Sequence, residues 1–292
     1  MRSPKLAWSG LLFLLAGITA TVGDSRSSKP QAALPNDANQ FVREAIQNEL
    51  NAEGRDHTHW RYHLHREDER GSQDRDVIET KEGSLAKTLL INGRPLTPEQ
   101  RDQDEERMKK LVSDPSERAK RDHRLKQDEE KAHQLLQAIP EAFIFKYDGI
   151  EGTQVRLEFK PNASFSPPTR ELAVYHAMNG KVWIDQSAKR LSRIEGELFE
   201  RVNFGWGLLG HLEKGGTFRV LQQDVGDGHW NTIQLDVNMQ GRAVVFKSLN
   251  IKEKENLTDF RRMPDDLSMS QAFGILEKAR NTISANTQAA AR

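Results

Sequence analysis

Val155-Arg156-Leu157-Glu158-Phe159-Lys160 alternates apolar and charged side chains without a break. Successive strand residues point to opposite faces, so this stretch is a strand with one dry side and one wet side. Around it the same grammar repeats. From Phe143 onward, Lys181 to Gln186, Leu191 to Ile194, Glu197 to Asn203, Thr217 to Asp224, Trp230 to Val237 and Arg242 to Lys252 are strand-sized. Glycines such as Gly152, Gly196, Gly216 and Gly228 fall at turn-like positions between them. No helix-sized segment intervenes to carry a parallel crossover, which makes these strands antiparallel hairpins. Aromatic residues concentrate in the same region, among them Phe143, Phe159, Trp183, Phe218 and Trp230, and a sheet of this size needs most of them as core. Some strands are apolar on both sides: Val182 and Ile184 oppose Trp183, and Val244 and Phe246 oppose Val245. Such strands need cover twice, from helices on both sides or from a bound apolar partner.

Working outward, Asn36 or Asp37 caps a helix whose Val42, Ala45, Ile46 and Leu50 share a face, and Gly54 ends it. Thr58 to Arg66 then switches to period two. Trp60, Tyr62 and Leu64 point one way, and His57, His59, Arg61, His63 and His65 point the other, which predicts a strand packed on one side. Val77 to Thr80 and Leu85 to Asn92 read as strands joined near Gly83. Charged residues dominate residues 98–138, where Met108, Leu111, Val112, Leu125, Leu135 and Leu136 form a thin apolar stripe. That is a pair of surface-lying helices broken near Asp114-Pro115. A last amphipathic helix carries Ala272, Ile275, Leu276 and Ala279. The expected fold is α+β: one large, curved antiparallel sheet, an incomplete barrel, covered by helices. Residues 37–280 would form a single domain with a charged helical insertion at 98–138, followed by a polar tail at 281–292.

The amino terminus sets the expected compartment. Arg2 and Lys5 precede an apolar run centred on Leu11 to Leu15, and small residues follow at Gly17, Thr19, Ala20 and Gly23, the order of a secretory signal over residues 1–23. Residues 24–36 are polar and proline-containing, as in a disordered leader. No later run approaches the roughly 20 apolar residues that span a bilayer. The mature chain is thus expected to be periplasmic or otherwise exported, without a transmembrane span. Cysteine is absent from the chain, which excludes disulfides and a lipid-modified cysteine. Lys plus Arg and Asp plus Glu each total 43, so no net field draws the chain to nucleic acid or to anionic lipid.

Gly205-Trp206-Gly207-Leu208-Leu209-Gly210 has the letters of a dinucleotide fingerprint. The required helix start is missing, because Gly215-Gly216 interrupts a few residues later. It reads instead as a tight apolar loop and a candidate gate. The histidine face of residues 57–65 would titrate near pH 6.5, but side chains two apart on a strand are about 7 Å from each other. Its default reading is a solvated polar face with no specific metal. His211 with Glu213 and Asp185, or His176 with Glu171, are acid–base pairs on paper whose distances the sequence leaves open. No nucleophile elbow, His-Glu-x-x-His helix, phosphate loop or calcium loop occurs. Hydrolase chemistry is therefore a minor alternative, with no catalytic residue, metal or cofactor assigned.

Met178-Asn179-Gly180-Lys181-Val182-Trp183-Ile184-Asp185, followed by Lys189-Arg190-Leu191-Ser192-Arg193-Ile194-Glu195-Gly196, resembles the repeated hairpins of the periplasmic lipoprotein carrier superfamily of LolA, LolB and RseB. In that family a strand ending in aspartate is followed by a basic turn and a return strand. The resemblance covers roughly residues 143–262 and, more weakly, the amino-terminal helix and the Trp60 strand. It implies an incomplete antiparallel barrel whose concave apolar side, covered by helices, holds acyl chains. The charged insertion and the 205–210 loop depart from that pattern. On this basis the function expected is an exported carrier-like protein for lipid or lipoprotein, not an enzyme. Trp183, Phe199, Trp206, Leu208, Phe218 and Phe246 would be its ligand-facing or gate residues. Its partner is an acyl chain or lipoprotein. The alternative is an envelope protein-interaction or sensor module that transports nothing.

Overall fold

The computed structural model describes residues 34, 36–204, 210–243 and 247–278. The expected signal, nearly all of the expected leader, the expected polar tail, and Trp206, Leu208 and Phe246 lie outside the described residues. In chain order the elements are α1 (Ala38–Arg55), β1 (His59–Asp68), β2 (Gly71–Thr80), β3 (Gly83–Ile91), β4 (Arg94–Pro95), α2 (Pro98–Ser113), α3 (Pro115–Ala142), β5 (Phe143–Glu151) and β6 (Gln154–Pro161). A 3-10 turn at Glu171–Ala177 precedes β7 (Met178–Asp185), β8 (Arg190–Leu198), β9 (Val202–Phe204), β10 (Gly210–Leu212), β11 (Thr217–Asp224), β12 (Trp230–Ala243) and β13 (Lys247–Met263). Residues 269–278 are helical. The 13 strands make one open sheet in the order β4-β3-β2-β1-β13-β12-β11-β8-β7-β6-β5, with β9 and β10 branching from β12. The α+β class and the large antiparallel sheet are as expected from the alternation.

Helix starts follow their caps. Asp37 accepts from the Asn39 and Gln40 amides at 2.9 and 3.3 Å, satisfying donors at the start of α1. Thr97 and Gln100 form a reciprocal capping box before Pro98. Asp114 accepts from Ser116 and Glu117 at 2.8 and 3.3 Å, so the break between α2 and α3 is a cap followed by proline at the first helical position. The insertion is a helix pair, and its second helix runs on through Pro140 to Ala142.

The chain divides into two compact units. The first contains Asp56–Ala132 and the described part of Glu255–Arg292. Here β1 is packed on its Trp60 side, and on its other side it is buried only at His59. Trp60, Tyr62 and Leu64 are buried, with Phe260 ring centroids 6.3 and 5.3 Å from Trp60 and Tyr62. The opposite face carries Ile78 and Leu85 in a core cluster with Met108, Leu267, Met269, Ala272 and Leu276. His59 is buried on that side, and burial pushes its imidazole below the ordinary value. This apolar layer, from α2 and residues 267–276, covers β2 and β3, while Arg61, His63 and His65 of β1 stay half-exposed beside Asp76 and Asp74.

The outer edge of β3 is protected by charge. The Thr88 amide donates to Asp104 at 2.9 Å, Arg107 donates to the Ala86 carbonyl, and Arg121 donates to the Ser84 carbonyl at 2.6 Å. Alternate residues of an edge strand turn their backbone groups outward, and these three are occupied by side chains of α2 and α3. The insertion thus serves as an edge cover.

The second unit contains the described part of Leu11–Arg55 and His133–Lys254. Phe41, Val42, Ala45 and Ile46 of α1 are buried, and α1 is tied to the β7–β8 turn. Glu49 accepts two bonds from Arg190, at 2.7 and 2.8 Å, and a third from the Leu191 amide at 2.7 Å. The side chains of Glu49 and Arg190 are 7% and 14% exposed, so the pair is held by geometry and by satisfied hydrogen bonds. At the β5 edge the Asn39 amide group bridges the Phe143 carbonyl (2.9 Å) and the Phe145 amide (3.0 Å) like a one-residue strand.

Candidate functional site

Strand register sorts the side chains of the second unit into rows. Phe159, Gly180, Gly196, Phe218 and Val237 are successive partners, as are Leu157, Val182, Ile194, Val220 and Leu235. Both rows lie on the apolar face. On β5 to β8 this face is sealed: Phe143, Phe145, Val155, Leu157, Phe159, Val182, Ile184, Leu191 and Leu198 are all buried. Phe143 lies 4.7 Å from Phe159 and 4.9 Å from Tyr175, ring centre to ring centre. The Tyr175 hydroxyl donates to the Leu135 carbonyl at 3.0 Å, and burial pushes that phenol well up. The glycines make this packing possible. A Cβ on Gly180 would stand 2.0 Å from the Glu195 carbonyl and 2.8 Å from the Phe159 ring, and one on Gly196 would stand 2.8 Å from the Phe218 ring. Each ring lies where a side chain would otherwise be.

On β11 and β12 the same face is only part covered. Val220 and Val237 are buried, whereas Phe218, Leu235 and Trp230 are half-buried. The Arg190 guanidinium lies 5.9 Å from the Trp230 ring. This strip is where the apolar face of the second unit meets solvent among the described residues.

The expected ligand-facing residues separate accordingly. Phe218 belongs to the apolar face, packed on Gly196. Phe199 is half-buried just after β8, with its amide donating to the Ala177 carbonyl at 3.0 Å. Trp183 points to the other face, opposite Arg156 and Arg193. It is 6% exposed, and its cover is polar: the Arg193 guanidinium stacks 4.1 Å from the ring centre and the indole NH donates to Glu151 at 3.0 Å. The second cover that a two-faced strand requires is supplied here by the sheet's own arginine.

That opposite face carries a charge ladder. Lys146, Glu158, Lys181, Glu195, Arg219 and Asp236 are partners on six adjacent strands, with the sign alternating at each step. Lys181 is 3.7 Å from Glu158, and Arg219 donates to Glu195 at 3.0 Å. Opposite charges directly across strands attract. The ladder neutralises itself and presents no apolar surface.

The paper acid–base pairs resolve differently. His211 and Glu213 meet at 2.8 Å, with Glu213 exposed. Asp185 is occupied in the β7–β8 turn, accepting from Ser187, Ala188, Thr153 and Gln154. Burial alone would raise its pKa, but the Ala188 amide and the Ser187 and Thr153 hydroxyls outweigh it and hold the carboxyl below the usual range. His63 and His65 share one oxygen of Asp74, at 3.2 and 3.0 Å. Among the described residues no group of three or more His, Asp or Glu is placed to hold a metal ion.

Two members of the half-covered strip, Trp230 and Leu235, were not singled out by sequence reasoning, because membership depends on which strand lies beside β11. No described helix is long and apolar enough to cross a membrane. No family model and no curated protein matches the chain. Among solved structures, one described as an outer membrane lipoprotein-sorting protein domain from Vibrio parahaemolyticus is similar at 11% identity and a TM-score of 0.27, over 76% of this chain and 93% of that one.

Proposed function

We propose that this protein is an exported, carrier-like binder of an acyl chain, carried by a lipid or a lipoprotein, and that the chain lies along the half-covered strip of β11 and β12. One observation supports the reading: Phe218, Leu235 and Trp230 stay half-buried on a face whose β5–β8 end is sealed. Each methylene withdrawn from water contributes about 0.8 kcal/mol, so a short hydrocarbon segment across three such side chains favours binding without catalytic groups. In this reading Phe218 and Phe199 face the ligand, Trp206, Leu208 and Phe246 extend the surface or gate it, and Trp183 packs the opposite face.

Native mass spectrometry of gently purified protein, together with titration of the fluorescent fatty acid cis-parinaric acid, tests the proposal. Co-purified lipid or saturable parinarate binding is expected, and Leu235→Glu should weaken it at least tenfold. A wild-type protein that carries no lipid and leaves parinarate fluorescence unchanged overturns it.

The reading as a protein-interaction module draws on a different feature, because Ile144 and Ile150, 56% and 46% exposed, both lie on the edge strand β5. A stoichiometric protein in the same mass spectrum, lost on Ile144→Lys and without lipid, would favour it.

A further inference from the structure

The Trp60 side of the first unit gathers guanidinium groups. Leu64 pairs with Arg75 and Arg66 pairs with Gln73, so Arg66 and Arg75 share one face as diagonal neighbours on β1 and β2, a separation of roughly 7–8 Å between backbones. Thr88 is the partner of Arg75 on β3. Its amide and hydroxyl donate to Asp104 of α2 at 2.9 and 2.8 Å, and Arg107 donates to the same carboxylate at 2.7 Å. That chain of contacts brings Arg107 to the row of Arg75. Arg121 follows along β3, bonded to the Ser84 carbonyl and hydroxyl at 2.6 Å each.

The carboxylates equal the guanidiniums in number, but they are not shared evenly. Asp104 serves Arg107, and Glu255 lies 3.5 Å from Arg66. Glu79, buried on the same face, accepts from the Trp60 amide at 3.0 Å. Asp122, on α3 beside Arg121, has its carboxyl raised by burial. Among the described residues Arg75 has no carboxylate partner: it donates to the neutral Gln73 side chain, and its Nε is buried without a hydrogen bond. Burial, then the guanidiniums of Arg107 and Arg66, hold the Arg75 pKa below its ordinary value, and burial with Arg107 does the same to Arg121. A buried donor left unmade, within a group of like charges, is unfavourable for folding alone. An anion between these guanidiniums would supply the missing acceptor. The side chains of Arg66 and Arg107 are 39% and 42% exposed, leaving a solvent-facing rim.

We propose that Arg75, with Arg66 and Arg107 at its rim, binds a phosphate-class oxyanion, either free in solution or as the headgroup phosphate of an anionic lipid. A planar guanidinium offers two parallel donors to such an anion. Asp104 contacts Arg107 and Glu255 contacts Arg66, which leaves Arg75 as the guanidinium of the three without a direct carboxylate contact among the described residues. The site lies in the first unit and does not depend on the acyl-binding proposal for β11 and β12.

The test uses the full chain. Melting curves in rising inorganic phosphate, with chloride lowered to hold ionic strength constant, should show a saturable rise of several degrees in Tm. Arg75→Gln should abolish that rise, and Arg262→Gln should keep it. If Arg75→Gln fails to fold, the arginine Nε–Hε NMR signals of wild-type protein decide: one to three should shift saturably with phosphate. Sedimentation with phosphatidylglycerol vesicles, absent with phosphatidylcholine and competed by phosphate, identifies a lipid headgroup as the source. A phosphate response without vesicle capture identifies a soluble anion. An unchanged wild-type Tm with unshifted signals, or an equal response in folded Arg75→Gln, overturns the proposal.

Discussion

Phe159 and Phe218 occupy the same row and the same face of one sheet, three strands apart, and their surroundings differ. Phe159 is 2% exposed beneath Phe143 and Phe145, whereas Phe218 is half-buried over Gly196. Both sit in strands that alternate apolar and polar residues. The difference is made by what lies above them, since helix and 3-10 side chains fill the β5–β8 end. An apolar face is a requirement for cover, and where the chain's own cover thins, a ligand or partner becomes the remaining way to meet it.

The sealed end depends on a buried ionic fastening between α1 and the β7–β8 turn. Glu49→Ala would leave Arg190 without its carboxylate and the Leu191 amide without an acceptor. Such a break typically costs about 3–5 kcal/mol. Urea denaturation should show that loss, and a cost under about 1 kcal/mol would mean that α1 is not fastened there.

Truncating the two phenylalanines tests the contrast directly. Phe159→Ala should cost about 3–5 kcal/mol as a fully buried ring, and Phe218→Ala roughly 1–2 kcal/mol, since much of its surface already meets water. In parinarate titrations the order should invert, with Phe218→Ala the more damaging. Equal stability losses would mean that the strip is as sealed as the rest.

Acid supplies a smaller effect. The folded carboxyl of Asp185 is held below its ordinary value by the β7–β8 turn. Its contribution to stability is complete above the unfolded value near 3.9 and is lost as pH falls through the lower folded value. The stability gap between wild type and Asp185→Asn should therefore be constant near neutrality and close in that acid window. A gap independent of pH down to pH 2 would show that the carboxylate charge is not what the turn holds.

The smallest effect belongs to the exposed edge. Ile144→Lys should change stability by no more than about 0.5 kcal/mol, because Ile144 is 56% exposed. A larger loss would reveal packing at β5 that this exposure excludes.

Much of the fold was legible because alternation and caps are local. Val155 to Lys160 announces its two faces, and Asp37, Thr97 and Asp114 mark their helix starts by side-chain chemistry within a few residues. The site was less legible. Alternation places Trp183 opposite Val182 and Ile184, but that Arg193 covers it follows from a strand pairing with a register shift beside it. Leu235 joins the apolar strip through pairing with Val220, a relation between residues 15 positions apart that no local pattern encodes.

The amino-acid sequence by itself determined that this chain makes antiparallel strands, a charged helix pair and a dry face rich in aromatic residues, since turn chemistry, capping and period-two patterning act between neighbours. Only the tertiary structure decided which end of that face is closed, that His59 is buried, that the charged helices occupy the edge of β3, and that Arg75 lies among other arginines without a carboxylate contact. Those outcomes depend on register and on which distant element comes to rest on which row, and their energies arise from contacts between segments far apart in the chain.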